Sequence, residues 1–538
     1  MGRTWNRGRA VPSMVVIGLT GSLVGATPVV ADDGAEVPAM ELEWGLCPED
    51  VEDGALPLEC ATLPVPMDYD DPQGAEIEIM VSRLASANPE TRRGVLLLNP
   101  GGPGAPGLSM PADLASLGAP NGLLDSYDLI GVDTRGVGHS TPVSCGFTAD
   151  QEYMGNVPPY AVDDAAIDAQ AEIARGVAEQ CADSDDELIP HLSTPNMARD
   201  LDRIRAALGE ETASYFGLSY GSALGAAYAS LFPERTDRVV LDSNIGDTFL
   251  DYDGMRRFAL GFEETFPDFA EWTALRDGSY GLGDSPEEVR ATYDEIATGL
   301  DEEPVAGFDG RLFRFGTFVG LYDPSSYAGT AQMWEALRAG DEAEVRRHLD
   351  ENGPVGVSVQ DDTAPAEPAI ADNTWSAFIS VTCNDAEWPE DLDTYREGVA
   401  QDRERHPMYG AATANVMPCA YWEYEPAEAP VEIVDEGPDN VLIVQNLRDP
   451  ATPHLGGVML DERFGDRSRL VSVDASGHGA YIYGDNPCAW NVTTRYLVGG
   501  EFPDRDVACE AAPSAGLDLD AEAELLRDRT LTRLGNPA

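Results

Sequence analysis

Lysine is absent from this chain of 538 residues, and acidic side chains greatly outnumber basic ones. The 34 basic residues are all arginines, whereas Asp and Glu together number 96, so the formal net charge is -62. A surface of this sign repels nucleic acid and anionic membranes. The composition therefore argues against a protein that binds either of them. It says little about the substrate, because the acids are spread along the whole chain.

Long apolar runs are also lacking, apart from one stretch of 13 residues at 14–26. This stretch is short for a transmembrane helix, which requires roughly 20 residues. Three arginines precede it, and small residues that end at Ala31 follow it, which is the order found in secretory signal peptides. We predict a signal peptide at 1–31 and a secreted mature protein without membrane attachment. An uncleaved membrane anchor is the alternative.

The C-x-x-C spacing of zinc and redox sites does not occur among the eight cysteines. All eight follow the predicted signal peptide, at Cys47, Cys60, Cys145, Cys181, Cys383, Cys419, Cys488 and Cys509. An even number of cysteines in a secreted protein favours disulfides over free thiols or a metal site. Many pairings are possible, and sequential pairing would close the shortest loops.

Buried strand patterns alternate with helical patterns in two parts of the chain. The strand patterns are GVLLLN, SYDLIGV, ASYFGL, RVVLDSN, VLIVQN and RLVSVDAS, and a clear helical pattern lies at 197–208. This alternation is typical of a mostly parallel sheet with right-handed crossovers. Residues 246–430 interrupt it and are rich in aromatics, prolines and acids. We predict an α/β core from 32–245 and 431–538, with a large, mostly helical cap inserted at 246–430.

One serine lies between two glycines in the segment Gly217-Leu218-Ser219-Tyr220-Gly221. A strand pattern precedes this serine and a helix rich in small residues follows it. The pattern G-x-S-x-G in this context is typical of the nucleophile elbow of α/β-hydrolases. The glycines allow a sharp turn, and a helix N-terminus favours developing negative charge. We predict that Ser219 is a nucleophile; a serine that only caps the helix is the alternative.

Histidine is scarce, with six residues in the chain, and a nucleophilic serine needs one of them as a base. In α/β-hydrolases the order along the chain is serine, then the acid, then histidine. His478 follows the last strand pattern and is flanked by Gly477 and Gly479. The three other histidines after Ser219 lie in the insertion or at a helix start. We predict that His478 is the base.

Two aspartates are candidates for the acid that orients this histidine. Asp449 follows the strand pattern VLIVQN and lies 29 residues before His478, whereas Asp242 ends the pattern RVVLD. We favour Asp449 and keep Asp242 as the rival. Backbone N–H groups must also stabilise the oxyanion. Tyr220 is one candidate, and the loop NPGGPG offers Gly101 and Gly102, since glycines let the main chain approach a substrate closely.

These motifs together resemble a known family. NPGGPG, GLSYGS with LGAAYASLFPERTDRVVLD, ISVTCNDAEWPE, RDPATP and SGHG are similar to segments of the prolyl-iminopeptidase and tripeptidyl-aminopeptidase family of serine peptidases, above all its secreted bacterial tripeptidyl-aminopeptidase branch. The resemblance implies an α/β-hydrolase fold with Ser219, Asp449 and His478 as the triad. Together with local spacing, it implies the disulfides Cys47–Cys60, Cys145–Cys181, Cys383–Cys419 and Cys488–Cys509.

The expected activity is hydrolysis of a peptide near its free N-terminus through an acyl-enzyme, with no metal or organic cofactor. Binding of the substrate ammonium requires carboxylates, and Asp385 and Glu387 in the predicted cap are candidates. We expect a monomer with no nucleic-acid partner. A carboxylesterase or lipase with the same triad is the alternative. A non-catalytic binding protein on the same scaffold is disfavoured, because such proteins usually lack a triad residue.

Overall fold

The computed structural model describes residues 42–51, 56–148, 151, 156–184, 186–352 and 370–512. The predicted signal peptide lies outside these residues, as does the chain after 512. The described residues form ten strands of one sheet, namely β1 (Gly45–Leu46), β2 (Glu59–Pro66), β3 (Glu76–Leu84), β4 (Gly94–Asn99), β5 (Tyr127–Val132), β6 (Ala213–Leu218), β7 (Thr236–Asp242), β8 (Val441–Arg448), β9 (Ser468–Ser476) and β10 (Val507–Cys509).

The sheet is mostly parallel, as the sequence predicted. The strand order is β1-β2-β3-β5-β4-β6-β7-β8-β9-β10, with antiparallel pairs at the N-terminal edge and parallel pairs from β5 onward. Parallel strands place their carboxyl ends along one edge, and ligands of such sheets bind at that edge. The loops after β4, β6, β7, β8 and β9 therefore meet there.

Both faces of the sheet are covered, which explains the continuous apolar runs of its central strands. All six residues of β4 are buried, and Leu97 packs into one core cluster while Leu96 and Leu98 pack into the other. The helices of the two outer parts of the chain are α1 (Met110–Ser116), α2 (Asn121–Ser126), α3 (Asp164–Ala182), α4 (Thr194–Ala207), α5 (Tyr220–Leu231), α15 (His454–Phe464) and α16 (Pro487–Thr494).

Between β7 and β8 the described chain is helical. Its helices are α6 (Tyr252–Ala274), α7 (Asp277–Tyr280), α8 (Pro286–Glu302), α9 (Gly310–Gly320), α10 (Tyr327–Ala339), α11 (Glu342–Asn352), α12 (Ile370–Asp385), α13 (Leu392–Arg405) and α14 (Gly410–Thr413). A cluster of buried aromatic rings holds several of them together, with Phe262 stacked on Phe318 and Tyr409, and Phe266 on Trp334. The aromatic composition that interrupted the strand pattern thus forms the core of a helical segment.

This helical segment packs directly on the edge of the sheet where the parallel strands end. A side chain at Gly261 of α6 would collide with the carbonyl oxygens of Asp449 and Pro450, at 2.5 and 2.4 Å. The carbonyl of Tyr322, just after α9, accepts a hydrogen bond from the main chain of His478 at 2.7 Å. The inserted segment therefore borders the predicted site. None of the helices in the described part of the chain combines the length and hydropathy that a bilayer span requires.

The eight cysteines pair in sequence order. The sulfur atoms of Cys47–Cys60, Cys145–Cys181, Cys383–Cys419 and Cys488–Cys509 lie within disulfide-bond distance. The pairing is the one that the family resemblance implied. The third pair joins α12 to the 3₁₀ turn Pro418–Tyr421, so it lies wholly within the inserted segment.

Candidate active site

Ser219 occupies the sharp turn between β6 and α5. Its backbone has φ 59° and ψ -125°, a conformation that residues other than glycine rarely adopt and that costs about 1–3 kcal/mol. The chain passes so closely that a side chain at Gly217 would lie 2.2 Å from the carbonyl oxygen of Gly221. Ser219 is partly exposed, although the flanking residues are buried. The turn thus presents one serine side chain at the edge of the sheet.

The loop after β4 lies against this serine. A side chain at Gly101 would come within 2.5 Å of the Leu218 carbonyl oxygen and 2.9 Å of the Ser219 Cβ atom, so only glycine fits there. The Gly101 N–H donates to the Asn99 side chain at 3.0 Å. Gly101 therefore allows the loop to approach Ser219 closely, and its N–H is already used in a hydrogen bond.

Two other main-chain donors remain at this turn. Within the described part of the chain, the N–H groups of Gly102 and Tyr220 have no hydrogen-bond acceptor. Both residues were predicted from the sequence as oxyanion donors. Gly101 was predicted as well, but its N–H already donates to Asn99. Tyr220 is the first residue of α5, so the helix dipole also favours negative charge at this position.

Asp449 and His478 are in direct contact. Asp449 follows β8 and His478 follows β9, and the Nδ1 atom of His478 lies 3.0 Å from each carboxylate oxygen of Asp449. Asp449 is fully buried, and its oxygens accept hydrogen bonds from the Ala451 N–H, the Thr452 N–H and the Thr452 hydroxyl at 2.8 to 3.0 Å. These donors satisfy the hydrogen-bonding capacity of a side chain that water does not reach. This contact engages Nδ1, and the opposite ring nitrogen of His478 has no hydrogen-bond partner among the described residues.

Several groups hold the loop that carries His478. The side-chain amide of Asn446 donates to the carbonyls of Gly477 and Gly479 at 2.9 and 3.1 Å. The ring of Tyr322 lies 5.0 Å from the imidazole, centroid to centroid. Thr452, Asn446 and Tyr322 were not among the site residues predicted from the sequence. Thr452 had a signal, since it follows Asp449 by three residues in the motif RDPATP.

Asp242, the rival acid, takes another role in the structure. It is fully buried and accepts hydrogen bonds from the N–H groups of Ala480 and Tyr481, each at 2.9 Å. Burial raises the pKa of Asp242 to about 6 against the effect of these two donors. Asp242 therefore holds the main chain just after His478 through these hydrogen bonds. The carboxylate in contact with the imidazole is that of Asp449.

The two acids predicted to bind a substrate ammonium are not brought together. Asp385 ends α12, is 3% exposed, and accepts hydrogen bonds from the N–H and the hydroxyl of Thr194 at 2.7 and 2.5 Å. Glu387 is exposed in the segment after α12. The prediction for Asp385 is at odds with the structure, because both of its oxygens are engaged inside the protein. Sequence alone could not reveal that contact, since the two residues are 191 positions apart.

Burial makes the charge of Asp385 sensitive to pH. It raises the pKa of Asp385 from 3.8 to about 7, an effect that the hydrogen bonds from Thr194 oppose and the charge of Glu428 reinforces. The folded protein then keeps a proton that the unfolded chain has released, so this group stabilises the fold below pH 4 and loses that contribution as the pH rises to about 7.

Asp385→Asn should therefore become more stable relative to wild type as the pH rises. Asparagine resembles the protonated acid and cannot ionise, so the difference in Tm, variant minus wild type, should increase by a few degrees between pH 4 and pH 8. Calorimetry at several pH values measures this difference. Asp294→Asn, at a side chain that is 62% exposed, is the control. A difference that stays constant or decreases with pH would contradict the assignment.

Two family models match the chain in the regions that carry this site. The model described as "alpha/beta hydrolase fold" matches residues 94–296, which include Ser219 and the loop after β4. The model described as "TAP-like protein" matches residues 406–509, which include Asp449 and His478.

Three curated relatives cover most of the chain. The tripeptidyl aminopeptidase of Streptomyces coelicolor is 35% identical over 467 residues, which are 85% of this chain and 84% of that protein. Carboxylesterase B of Mycobacterium tuberculosis is 30% identical, over 88% of this chain and 91% of its own length. Serine protease Hip1 of the same species is 28% identical, over 87% and 91%. The chain therefore belongs to the α/β-hydrolase family, among the serine hydrolases that include the tripeptidyl aminopeptidases of Streptomyces.

Proposed function

We propose that this serine hydrolase is a secreted exopeptidase that cleaves short peptides from a free N-terminus, in the manner of a tripeptidyl aminopeptidase. The observation that carries the proposal is the arrangement at the edge of the sheet: Ser219 lies in a strained turn against the loop of Gly101 and Gly102, and Asp449 contacts His478 after the neighbouring strands. The relatives named as a tripeptidyl aminopeptidase and a serine protease support peptides as the substrate class.

In the proposed mechanism the Ser219 hydroxyl attacks the carbonyl carbon of the scissile bond. The Nε2 atom of His478 accepts the hydroxyl proton, and the N–H groups of Gly102 and Tyr220 bind the oxyanion of the tetrahedral intermediate. Collapse of this intermediate breaks the C–N bond, and His478 returns the proton to the leaving amine. An acyl ester on Ser219 remains.

Water completes the cycle by the same route. His478 removes a proton from water, the resulting hydroxide attacks the ester carbonyl, and the oxyanion again occupies the donors of Gly102 and Tyr220. Ser219 leaves with the proton carried by His478, and the peptide acid is released. Asp449 holds the imidazole through Nδ1 and stabilises its positive charge, while Thr452 holds Asp449.

The helical segment is proposed to act as the cap that limits access to this site. It meets the site at Gly261, which contacts the loop of Asp449, and at Tyr322, which contacts His478. An exopeptidase needs such an enclosure, because its binding cleft must be closed just beyond the N-terminus of the bound substrate. Glu387 remains the predicted partner of the substrate ammonium.

Secretion is proposed from the sequence of 1–31 and from the four cysteine pairs. Disulfides persist in oxidising compartments and are rare in the cytosol. All eight cysteines lie within bonding distance of a partner. We propose a monomer that acts on peptides and binds neither membranes nor nucleic acid once the signal peptide is removed.

Ester hydrolysis is the second candidate function. The relative named carboxylesterase B favours it, since that protein covers as much of the chain as the peptidases do. The triad itself does not discriminate, because serine peptidases and esterases use the same acyl-enzyme chemistry. The two functions differ in whether the site binds a substrate ammonium.

A pair of substrates that differ only at the amino terminus distinguishes these functions. A tripeptide p-nitroanilide with a free amino group should be cleaved with a kcat/KM about 10²–10³ times that of its N-acetyl form. The bound substrate would bury its ammonium against Glu387, and loss of one buried charge pair costs about 3–5 kcal/mol. Initial rates on both substrates at matched concentrations measure the ratio. p-Nitrophenyl acetate hydrolysis checks in the same samples that the enzyme is competent. Equal rates on the free and acetylated peptides would reject the exopeptidase and favour the esterase.

A further inference from the structure

A buried row of hydrogen-bonded side chains connects the inserted segment to the predicted oxyanion donor. Asp385 at the end of α12 accepts from Thr194 at the start of α4, and the Thr194 hydroxyl is hydrogen-bonded to the hydroxyl of Tyr220, the first residue of α5. The three residues are 3%, 0% and 2% exposed. Three separate helices thus converge on one row of polar atoms, which ends at the residue that follows Ser219.

The direction of these hydrogen bonds follows from the chemistry of the groups. Above its pKa of about 7 Asp385 is ionised and can only accept, so the Thr194 hydroxyl then donates to its Oδ2 atom, at 2.5 Å. The Thr194 oxygen then accepts the phenol proton of Tyr220. The other neighbour of the phenol oxygen is the sulfur of Met197 at 3.5 Å, which is a weak acceptor. Asp385 therefore determines where the Tyr220 hydroxyl points.

Tyr220 is adjacent to Ser219 in sequence, and its main-chain N–H, like that of Gly102, has no acceptor among the described residues. Its ring is buried beside α4, so its side chain is anchored at the far end from the active site. A side chain fixed at both ends restricts rotation about its own backbone, and an oxyanion donor is effective only when it is correctly aimed in advance.

We propose that Asp385 and Thr194 are positioning residues that hold Tyr220, and through it the N–H group that binds the oxyanion. This inference rests on the proposed function, because it assumes acyl transfer at Ser219. It assigns to the end of α12 a role in catalysis rather than in binding the substrate. The inserted segment would then complete the catalytic centre of the core.

The test removes single hydroxyl groups from this row of hydrogen-bonded side chains. Thr194→Val and Tyr220→Phe should each lower kcat about tenfold with little change in KM, a fraction of the roughly 10²–10³ lost when an oxyanion donor is removed outright. Thr194→Ser retains the hydroxyl and should restore kcat. The inhibition constant of an aryl trifluoromethyl ketone, whose adduct carries an oxyanion, should rise by the same factor as kcat falls. p-Nitrophenyl acetate serves as the substrate, so that the result does not depend on peptide specificity.

Two matched controls remove buried hydroxyls from the same helices. Thr382, on α12, has a hydroxyl without a hydrogen-bond partner in the described part of the chain, and Tyr228 lies two turns along α5. Thr382→Val and Tyr228→Phe should retain the wild-type kcat. Tyr220→Phe keeps the packing of the ring, so it tests the role of the Tyr220–Thr194 hydrogen bond even if Thr194→Val fails to fold.

The outcomes separate this inference from the proposed function. Wild-type kcat and inhibitor affinity in Tyr220→Phe, together with an inactive Ser219→Ala, would overturn the positioning role and leave the triad standing. Full activity of Ser219→Ala would overturn both. A raised KM at unchanged kcat would also reject the inference, because a misplaced oxyanion donor affects the transition state and not substrate binding.

Discussion

Ser219→Ala should lower kcat by about 10⁶, which is the loss that follows removal of the nucleophile in a comparable triad. The reason is chemical: alanine has no atom that can attack a carbonyl, so acylation cannot occur. The rate of p-nitroanilide or p-nitrophenyl acetate hydrolysis by purified variant measures the effect. The fold should survive, because Ser219 is partly exposed and alanine removes only its hydroxyl group.

A buried serine near the end of α5 provides the control. Ser230 is buried, and its hydroxyl has no hydrogen-bond partner in the described residues. Ser230→Ala should therefore keep the wild-type kcat, while Ser219→Ala loses it at the same Tm. A folded Ser219→Ala variant that turns over substrate at the wild-type rate would rule out Ser219 as the nucleophile.

Asp449→Asn should lower kcat by about 10⁴, as expected when the acid that orients the histidine is replaced by its amide. The carboxylate of Asp449 lies 3.0 Å from Nδ1 of His478, and asparagine would turn its amide N–H₂ or its single oxygen toward that nitrogen. The imidazole would then favour the wrong tautomer and lose the negative charge that stabilises it when protonated. Steady-state rates at saturating substrate measure the loss.

Asp242→Asn distinguishes between the two acids. The carboxylate of Asp242 accepts from main-chain N–H groups of Ala480 and Tyr481, so its replacement should lower Tm and reduce kcat far less than Asp449→Asn. A loss of about 10⁴ in Asp242→Asn, with a nearly normal Asp449→Asn, would reverse the assignment of the acid.

The central part of the fold follows directly from the sequence. Continuous apolar runs such as GVLLLN and ASYFGL mark strands buried on both faces, and each observed strand begins and ends close to its pattern. The helix predicted at 197–208 begins three residues earlier, because Ser193 accepts a hydrogen bond from the Asn196 N–H and Pro195 fits the first turn.

The N-terminal edge of the sheet was not predicted. β2 and β3 form an antiparallel pair whose residues alternate between buried and exposed, as in Ile77, Glu78 and Ile79. The alternating pattern was present in the sequence at 76–84. It differs from the continuous apolar runs of the central strands because one face of an antiparallel edge can remain in contact with solvent.

Some features of the site, like some strands of the sheet, follow from the sequence, and others do not. Ser219, Asp449 and His478 are predicted as a triad because each follows a strand pattern, and the ends of parallel strands meet at one edge of the sheet. Of these three residues, Asp449 and His478 are in contact in the structure. The sequence could not reveal that the Gly101 N–H already donates to Asn99, or that both oxygens of Asp385 already accept from Thr194. A residue type and its position along the chain indicate which groups can react. They do not indicate which groups are already engaged inside the protein.

Covalent labelling of the wild-type protein tests the central claim most directly. The protein is treated with a fluorophosphonate, its mass is measured intact, and the labelled residue is identified by peptide mapping. We expect one phosphonyl group per chain, on Ser219, and slower labelling in the presence of a tripeptide with a free amino terminus than with its N-acetyl form. Labelling at another residue, or no labelling of a folded protein, would contradict the assignment of Ser219 as the nucleophile of this hydrolase.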